Sequence, residues 1–393
     1  MIKMFSAFTE EIDDVNAAID EIMSQLDIEN SLMKNSIGIL HCYYEFIDSG
    51  VVKALSEKLP FEVVGITVPY VCLSGRISSL GLMLNIFTGD DVNFTTGLSE
   101  KIDIGGGNIA EITQKLCDGI LEKTATGEMP PMLMTYAPFL HVLQVNADEF
   151  VGKISDCFPS VPVFGALSFS ERIDFSECYT LYNGESYENS AILVAVTGNV
   201  NPQFLTMAVP RKNIIGELAT VTKSEGNIIH TINSMSVEDY VISTGLIEKR
   251  GELEKLYTTP MIAKLTDGST IIRVCIGGDG QGGAVMGGHV PEGAEIGFVL
   301  LELSDIVSTS EEIVKSILEI SNGRNIVIYS CMARIDFMGV TQRELEIKTI
   351  CSLLGEESNF CLVYAGGEIF PQQLSGGEYA SHLQNFSLTV CIL

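Results

Sequence analysis

One pattern recurs three times along this chain and restricts its fold more than any other feature. An apolar, β-branched strand is followed by a helix and then by two further strands. The first copy reads as a strand over 37–47, a helix over 51–59, and strands over 61–71 and 80–87. The second reads as a strand over 132–140, a helix over 147–158, and strands over 161–169 and 190–197. The third has 325–330, a helix over 341–354, then 360–365 and 385–392. The third element matches letter by letter: Val63-Val64-Gly65, Val163-Phe164-Gly165 and Val363-Tyr364-Ala365. A thrice-repeated β-α-β-β unit implies an α+β fold of mixed, largely buried sheets with helices packed outside.

At 393 residues the chain exceeds a typical single core, so two domains are expected. Pro202 and Pro210-Arg211-Lys212 mark a change of element. The expected organisation is an acidic amphipathic helix within 1–30, one domain over 31–212 and a second over 213–393. In the first segment Ile12, Val15, Ile19, Ile22, Met23 and Leu26 follow helical spacing, with Thr9 as the expected N-cap. The second domain opens on a hairpin, 217–223 with 227–232, after which Ser236 caps a short helix. Residues 276–289 hold seven glycines. They lack the Lys-Ser/Thr of a phosphate loop, and no helix follows, so Asp279-Gly280 is read as a hairpin turn.

Lys and Arg number 23 against 51 Asp and Glu, a formal net charge of −28. Such a surface repels nucleic-acid backbones and anionic membranes, so neither is an expected partner. No apolar stretch is long enough for a membrane helix. The ten cysteines include no C-x-x-C pair, so they read as reduced core thiols of a cytoplasmic protein.

Three polar clusters end apolar strands in the last 70 residues. The first is Ser330-Cys331 with Arg334, a thiol and a guanidinium delivered to a strand end. The second is Gly366-Gly367-Glu368, where glycines allow close backbone approach. The third is Asn385-Phe386-Ser387, opening the last strand. A buried arginine needs an anion or a carboxylate. Arg334 is expected to face a ligand carboxylate, with Glu368 and Asn385 on the ligand's amine side; alternatively Arg334 and Glu368 neutralise each other. Cys331 as a thiol nucleophile would need a base, and neither His289 nor His382 stands in a recognised spacing to it. The five histidines show no metal-ligand pair, although a lone one could serve as an axial haem ligand.

At these residues the sequence resembles the FIST family. Ser330-Cys331-x-x-Arg334, Gly367-Glu368-Ile369 and Asn385-x-Ser387 resemble its C-terminal domain. So do Asp267-Gly268-Ser269, Ile272-Arg273 and Pro291-Glu292-Gly293. Residues 36 to about 210 resemble its N-terminal domain. The resemblance implies a stand-alone bacterial-type sensory protein that binds a small polar metabolite, such as an amino acid, and signals through a separate kinase, cyclase or chemoreceptor-type partner. The expected ligand-binding residues are Cys331, Arg334, Glu368, Asn385, Arg273 and Tyr364, with no cofactor. Alternatives are a haem-based nitric-oxide sensor and a thiol enzyme using Cys331. The family often carries a histidine just before the closing asparagine; here that position is Gln384.

Overall fold

The computed structural model describes residues 2–73, 75–124, 129–140, 147–171, 176–355 and 358–393. The repeat is present, and each copy is longer than its sequence pattern suggests. In chain order a copy runs edge strand, helix, first strand, helix, second strand, hairpin, third strand. The edge strands are Lys3–Thr9, Val92–Leu98 and Gln203–Met207. The helices that follow them are Val15–Gln25, Ile109–Lys123 and Leu303–Ser321. First strands are Asn35–Cys42, Met132–Ala137 and Ile326–Cys331. Second strands are Val63–Thr67, Val163–Leu167 and Phe360–Ala365. In every copy the first strand lies parallel to the second and antiparallel to the third.

The hairpins are exchanged cyclically. The hairpin of Tyr70–Leu73 and Arg76–Ser78 leaves the first copy and pairs with Phe360–Ala365 of the third. Thr180–Tyr182 of the second copy pairs with Val63–Thr67 of the first. Glu368–Gln373 of the third copy pairs with Val163–Leu167 of the second. The strand expected over 61–71 is therefore two strands in two sheets. Its break falls at Pro69, which has no backbone N–H to continue a ladder.

The three six-stranded sheets turn one face inward onto a common core that contains Ile39, Val64, Met134, Phe164, Tyr329 and Val363. Val363 thus corresponds to Val64 and Phe164, one place off the letter match, because alternate strand residues face opposite sides of a sheet. Tyr364 then stands where the other copies have glycine. A Cβ on Gly65 or Gly165 would lie 1.8 Å from the carbonyl oxygen of Leu40 or Thr135. Within the common core Tyr136 and Tyr329 share a 3.0 Å hydroxyl contact, and the Tyr329 hydroxyl lies 3.3 Å from His41 Nε2. Burial pushes the His41 imidazole down to about 3, so it is neutral.

The third copy carries an insertion between its edge strand and its first helix. There an antiparallel sheet, Ala219–Glu225 through Glu295–Phe298, encloses its own core around Val221, Ile232, Met261 and Ile296. The predicted hairpin is found as Ala219–Glu225 with Ile228–Ile232, and Ser236 caps the Val237–Ser243 helix. The glycine-rich segment is a hairpin too. Cys275–Gly278 pairs with Ala284–Met286, and Asp279 Oδ1 accepts from the Gln281 and Gly283 N–H groups.

At the N-terminus the structure differs from expectation. Lys3–Thr9 is an edge strand, so Thr9 ends a ladder instead of capping a helix. Asp14 is the N-cap and accepts from the Asn16 and Ala17 N–H groups. Asp and Thr are both good caps, so composition alone does not choose between them.

Candidate functional site

The strand Ile326–Cys331 runs directly into the seven-residue helix Met332–Met338, and all of Cys331, Met332, Ala333 and Arg334 are buried. Arg334 lies wholly out of solvent, and each of its five N–H groups has an acceptor. Nε donates to Glu346 Oε1 at 2.7 Å, and one Nη donates to the same oxygen and to Thr309 Oγ1. The other Nη donates to the carbonyls of Ala208 (2.9 Å) and Phe386 (3.3 Å). The carboxylate beside Arg334 is therefore Glu346, and the pairing expected with Glu368 is not made. Glu346 Oε2 accepts from Ser330 Oγ at 2.7 Å and from Tyr364 Oη at 2.8 Å. Burial alone would raise the Glu346 carboxyl, but Arg334 and these hydroxyls hold it below the usual carboxylate range.

Glu346 carries a sequence signal of its own. Glu346, Ile350 and Leu354 share one buried stripe of the helix Leu345–Leu354, and an acid on such a stripe requires a cation.

Arg273 is satisfied in the same manner, at a different place. It donates to both oxygens of Asp148 (2.8 and 3.0 Å) and to the carbonyls of His289, Ile272 and Leu383. Asp148 Oδ2 also accepts from the His289 N–H at 2.8 Å. This pair joins the insertion to the second copy's helix Ala147–Cys157. The position before Asn385 has a docking role here. Gln384 accepts from the Ile272 N–H at 2.9 Å and donates to the Thr270 carbonyl at 3.3 Å, bonding to the insertion as a strand neighbour would.

Of the expected residues, Arg334 and Tyr364 meet on Glu346, and Cys331, Asn385 and Glu368 are brought together next to them. Cys331 and Asn385 line a cavity of about 30 Å³ at the junction of the insertion and the three-sheet body. Phe139 and Phe169 of the second copy and Val274 and Ile276 of the insertion supply its apolar walls. Glycines allow the approach, as anticipated for the segment before Glu368. A Cβ on Gly366 would lie 2.7 Å from the Ser168 carbonyl oxygen, and one on Gly287 would lie 2.5 Å from Asn385 Oδ1. Asn385 Nδ2 donates to the Gln384 carbonyl at 3.1 Å, while its buried Oδ1 has no hydrogen-bond partner among the described residues. Phe386 follows with a left-handed φ of 54°, a conformation that a bulky residue adopts only when held there. The Arg334 bond to the Phe386 carbonyl is part of what holds it.

Glu368 lies beside Cys331, fully buried. Its Oε2 accepts from Ser387 Oγ at 2.6 Å, and its Oε1 is likewise without a hydrogen-bond partner among the described residues. Burial pushes the carboxyl well above the usual range despite the hydrogen bonds from Ser387 and Cys331, so it is a neutral acid. Burial pushes the Cys331 thiol well up, leaving it a thiol. Among the described residues neither His289 nor His382 bonds to Cys331, so no base is placed for a thiol nucleophile.

The raised Glu368 pKa sets the sign of a pH effect. Above the ordinary carboxylate range the folded state keeps a proton that the unfolded state has lost. Stability therefore falls as pH rises through that window, by up to about 1.4 kcal/mol per pH unit. Glu368→Gln mimics the neutral acid and is expected to remove this slope. Urea titrations of both proteins across pH check it, and parallel curves would refute the assignment.

Of the histidines, His41 is buried against Tyr329 and Tyr136 of the common core, while His289 and His382 lie near Asp148 and Arg273. His230 faces Asp279, and His141 lies outside the described residues. A cavity with room for one or two waters does not fit a haem macrocycle, and no described histidine lines it.

Residues 36–235 match the FIST N domain and residues 237–371 match the FIST C domain. The chain belongs to the FIST family, whose domains are associated with signal transduction and sensing. No curated protein matches it. Among the described residues no helix is long and apolar enough to cross a membrane.

Proposed function

We propose that this chain is a non-catalytic sensory protein that takes a small ligand in the cavity between Cys331 and Asn385. The buried Oδ1 of Asn385 at that cavity, without a hydrogen-bond partner among the described residues, carries the reading, because an unpaired buried acceptor is costly unless a donor meets it. The ligand presents an amine or amide N–H to Asn385, while Glu368 lies behind Cys331, outside the cavity lining. A ligand carboxylate has no counterpart at either arginine, since Arg334 and Arg273 already bond Glu346 and Asp148. Arg334 is then a positioning residue that acts through Phe386. Tyr364 in turn orients Glu346. Because the cavity lies at the seam of insertion and body and as it stands has room for only one or two waters, a larger occupant must reseat the insertion on the body, and a separate signalling protein reads that difference.

A thermal-shift screen tests this reading with small amines, amides and amino acids against carboxylic acids that lack N–H groups. N–H-bearing compounds are expected to stabilise wild type by about 2.7 kcal/mol at a hundredfold excess over Kd. Asn385→Leu should abolish that gain. Stabilisation by carboxylic acids alone, or stabilisation that survives Asn385→Leu, overturns the assignment.

A further inference from the structure

Cys72 and Cys351 meet across the boundary that the hairpin exchange creates. Cys72 lies on the exchanged strand Tyr70–Leu73, and Cys351 on the helix Leu345–Leu354 that covers the third sheet. Their sulfur atoms are 3.6 Å apart, although the two residues are 279 positions apart in sequence. A disulfide needs about 2.05 Å between sulfurs, so closure requires an approach of side-chain scale. The two thiols differ in access: Cys72 is fully buried, whereas Cys351 is partly exposed. The hydrogen bond from Cys72 holds the Cys351 thiol below its ordinary value, in contrast to Cys331, which burial pushes up. Cys117 and Cys157, on packed helices, also interact, and there the Cys157 thiol in addition donates to Gln114 Oε1 at 3.5 Å.

We propose that Cys72 and Cys351 form a dithiol pair that hydrogen peroxide oxidises to a disulfide, tying the exchanged hairpin to the helix that carries Glu346. The Cys351 thiolate attacks one peroxide oxygen. An S–O bond forms, the O–O bond breaks, and hydroxide leaves and takes up a proton as water. Cys351 is now a sulfenic acid, oxidised by two electrons, and the peroxide is reduced. Cys72 sulfur then attacks Cys351 sulfur. The S–S bond forms, the S–O bond breaks, and the Cys72 proton leaves with the hydroxyl as a second water. Cys351 is the attacking thiol because it is the accessible one, and Cys72 resolves it from the buried side.

The test treats the reduced full-length protein with a small excess of hydrogen peroxide, alkylates it under denaturing conditions and maps its peptides by mass spectrometry. The expected result is the loss of two of the ten alkylatable thiols and a dithiothreitol-reversible cross-link between the Cys72 and Cys351 peptides. Cys72→Ser should replace the cross-link with a sulfenic acid on Cys351 that dimedone traps, and Cys351→Ser should leave Cys72 alkylatable. Ten alkylatable thiols after treatment of wild type, or a cross-link between other cysteines with Cys72 and Cys351 still free, overturns the proposal. The wild-type measurement decides this even where a serine variant folds poorly.

Discussion

Glu346→Ala is expected to destabilise the protein by about 3–5 kcal/mol, the cost of leaving a buried charge without its partner. Arg334 has no exposure to solvent and cannot move its guanidinium to water without unpacking the helix Met332–Met338. Removing Glu346 also leaves Ser330 and Tyr364 hydroxyls without their acceptor. Urea denaturation measures the loss. The paired variant Arg334→Met with Glu346→Leu should recover most of it, because it removes both charges and keeps apolar volume. A loss below about 1 kcal/mol for Glu346→Ala would be that of a solvated surface pair and would contradict the network described. Since Arg334 also fastens the Phe386 carbonyl, Arg334→Met alone should weaken binding of any ligand that depends on Asn385.

Asp148→Ala is expected to cost a similar amount, about 3–5 kcal/mol, but at a different seam. It leaves the wholly buried Arg273 without its carboxylate and the His289 N–H without its acceptor. These groups join the insertion to the second copy, so the damage should be local. Hydrogen exchange should accelerate in Thr270–Arg273 and around Gly287 to His289, while Asn35–Cys42 in the first sheet keeps its protection. Uniform acceleration across all sheets would show that the pair supports the whole fold and not the docking of the insertion.

Much of the fold was legible because its signals are local. Strand alternation and helical spacing placed the first and second strands of all three copies, and Asp279-Gly280 marked its hairpin. Tyr364 shows where this stops. Its letters align with Phe164, yet its side chain points the opposite way, since a one-residue slip in register leaves the apolar pattern intact while reversing the face. Of the candidate site, the strand ends carrying Cys331, Glu368 and Asn385 were visible as polar breaks in apolar runs. The pairing of Arg334 was not, because Glu346 looks like one more acid in an acidic chain until the helix is seen to bury it.

The sequence by itself determined that three β-α-β-β units form, that helices cover mixed sheets, and that Cys331, Glu368 and Asn385 fall at strand ends in the last 70 residues. Only the tertiary structure decided that hairpins pass between copies, that Asp148 satisfies Arg273 from 125 positions away, and that Cys72 meets Cys351. The division is physical. Periodicity records which face of an element is buried, whereas the partner across that face depends on how distant segments close upon each other.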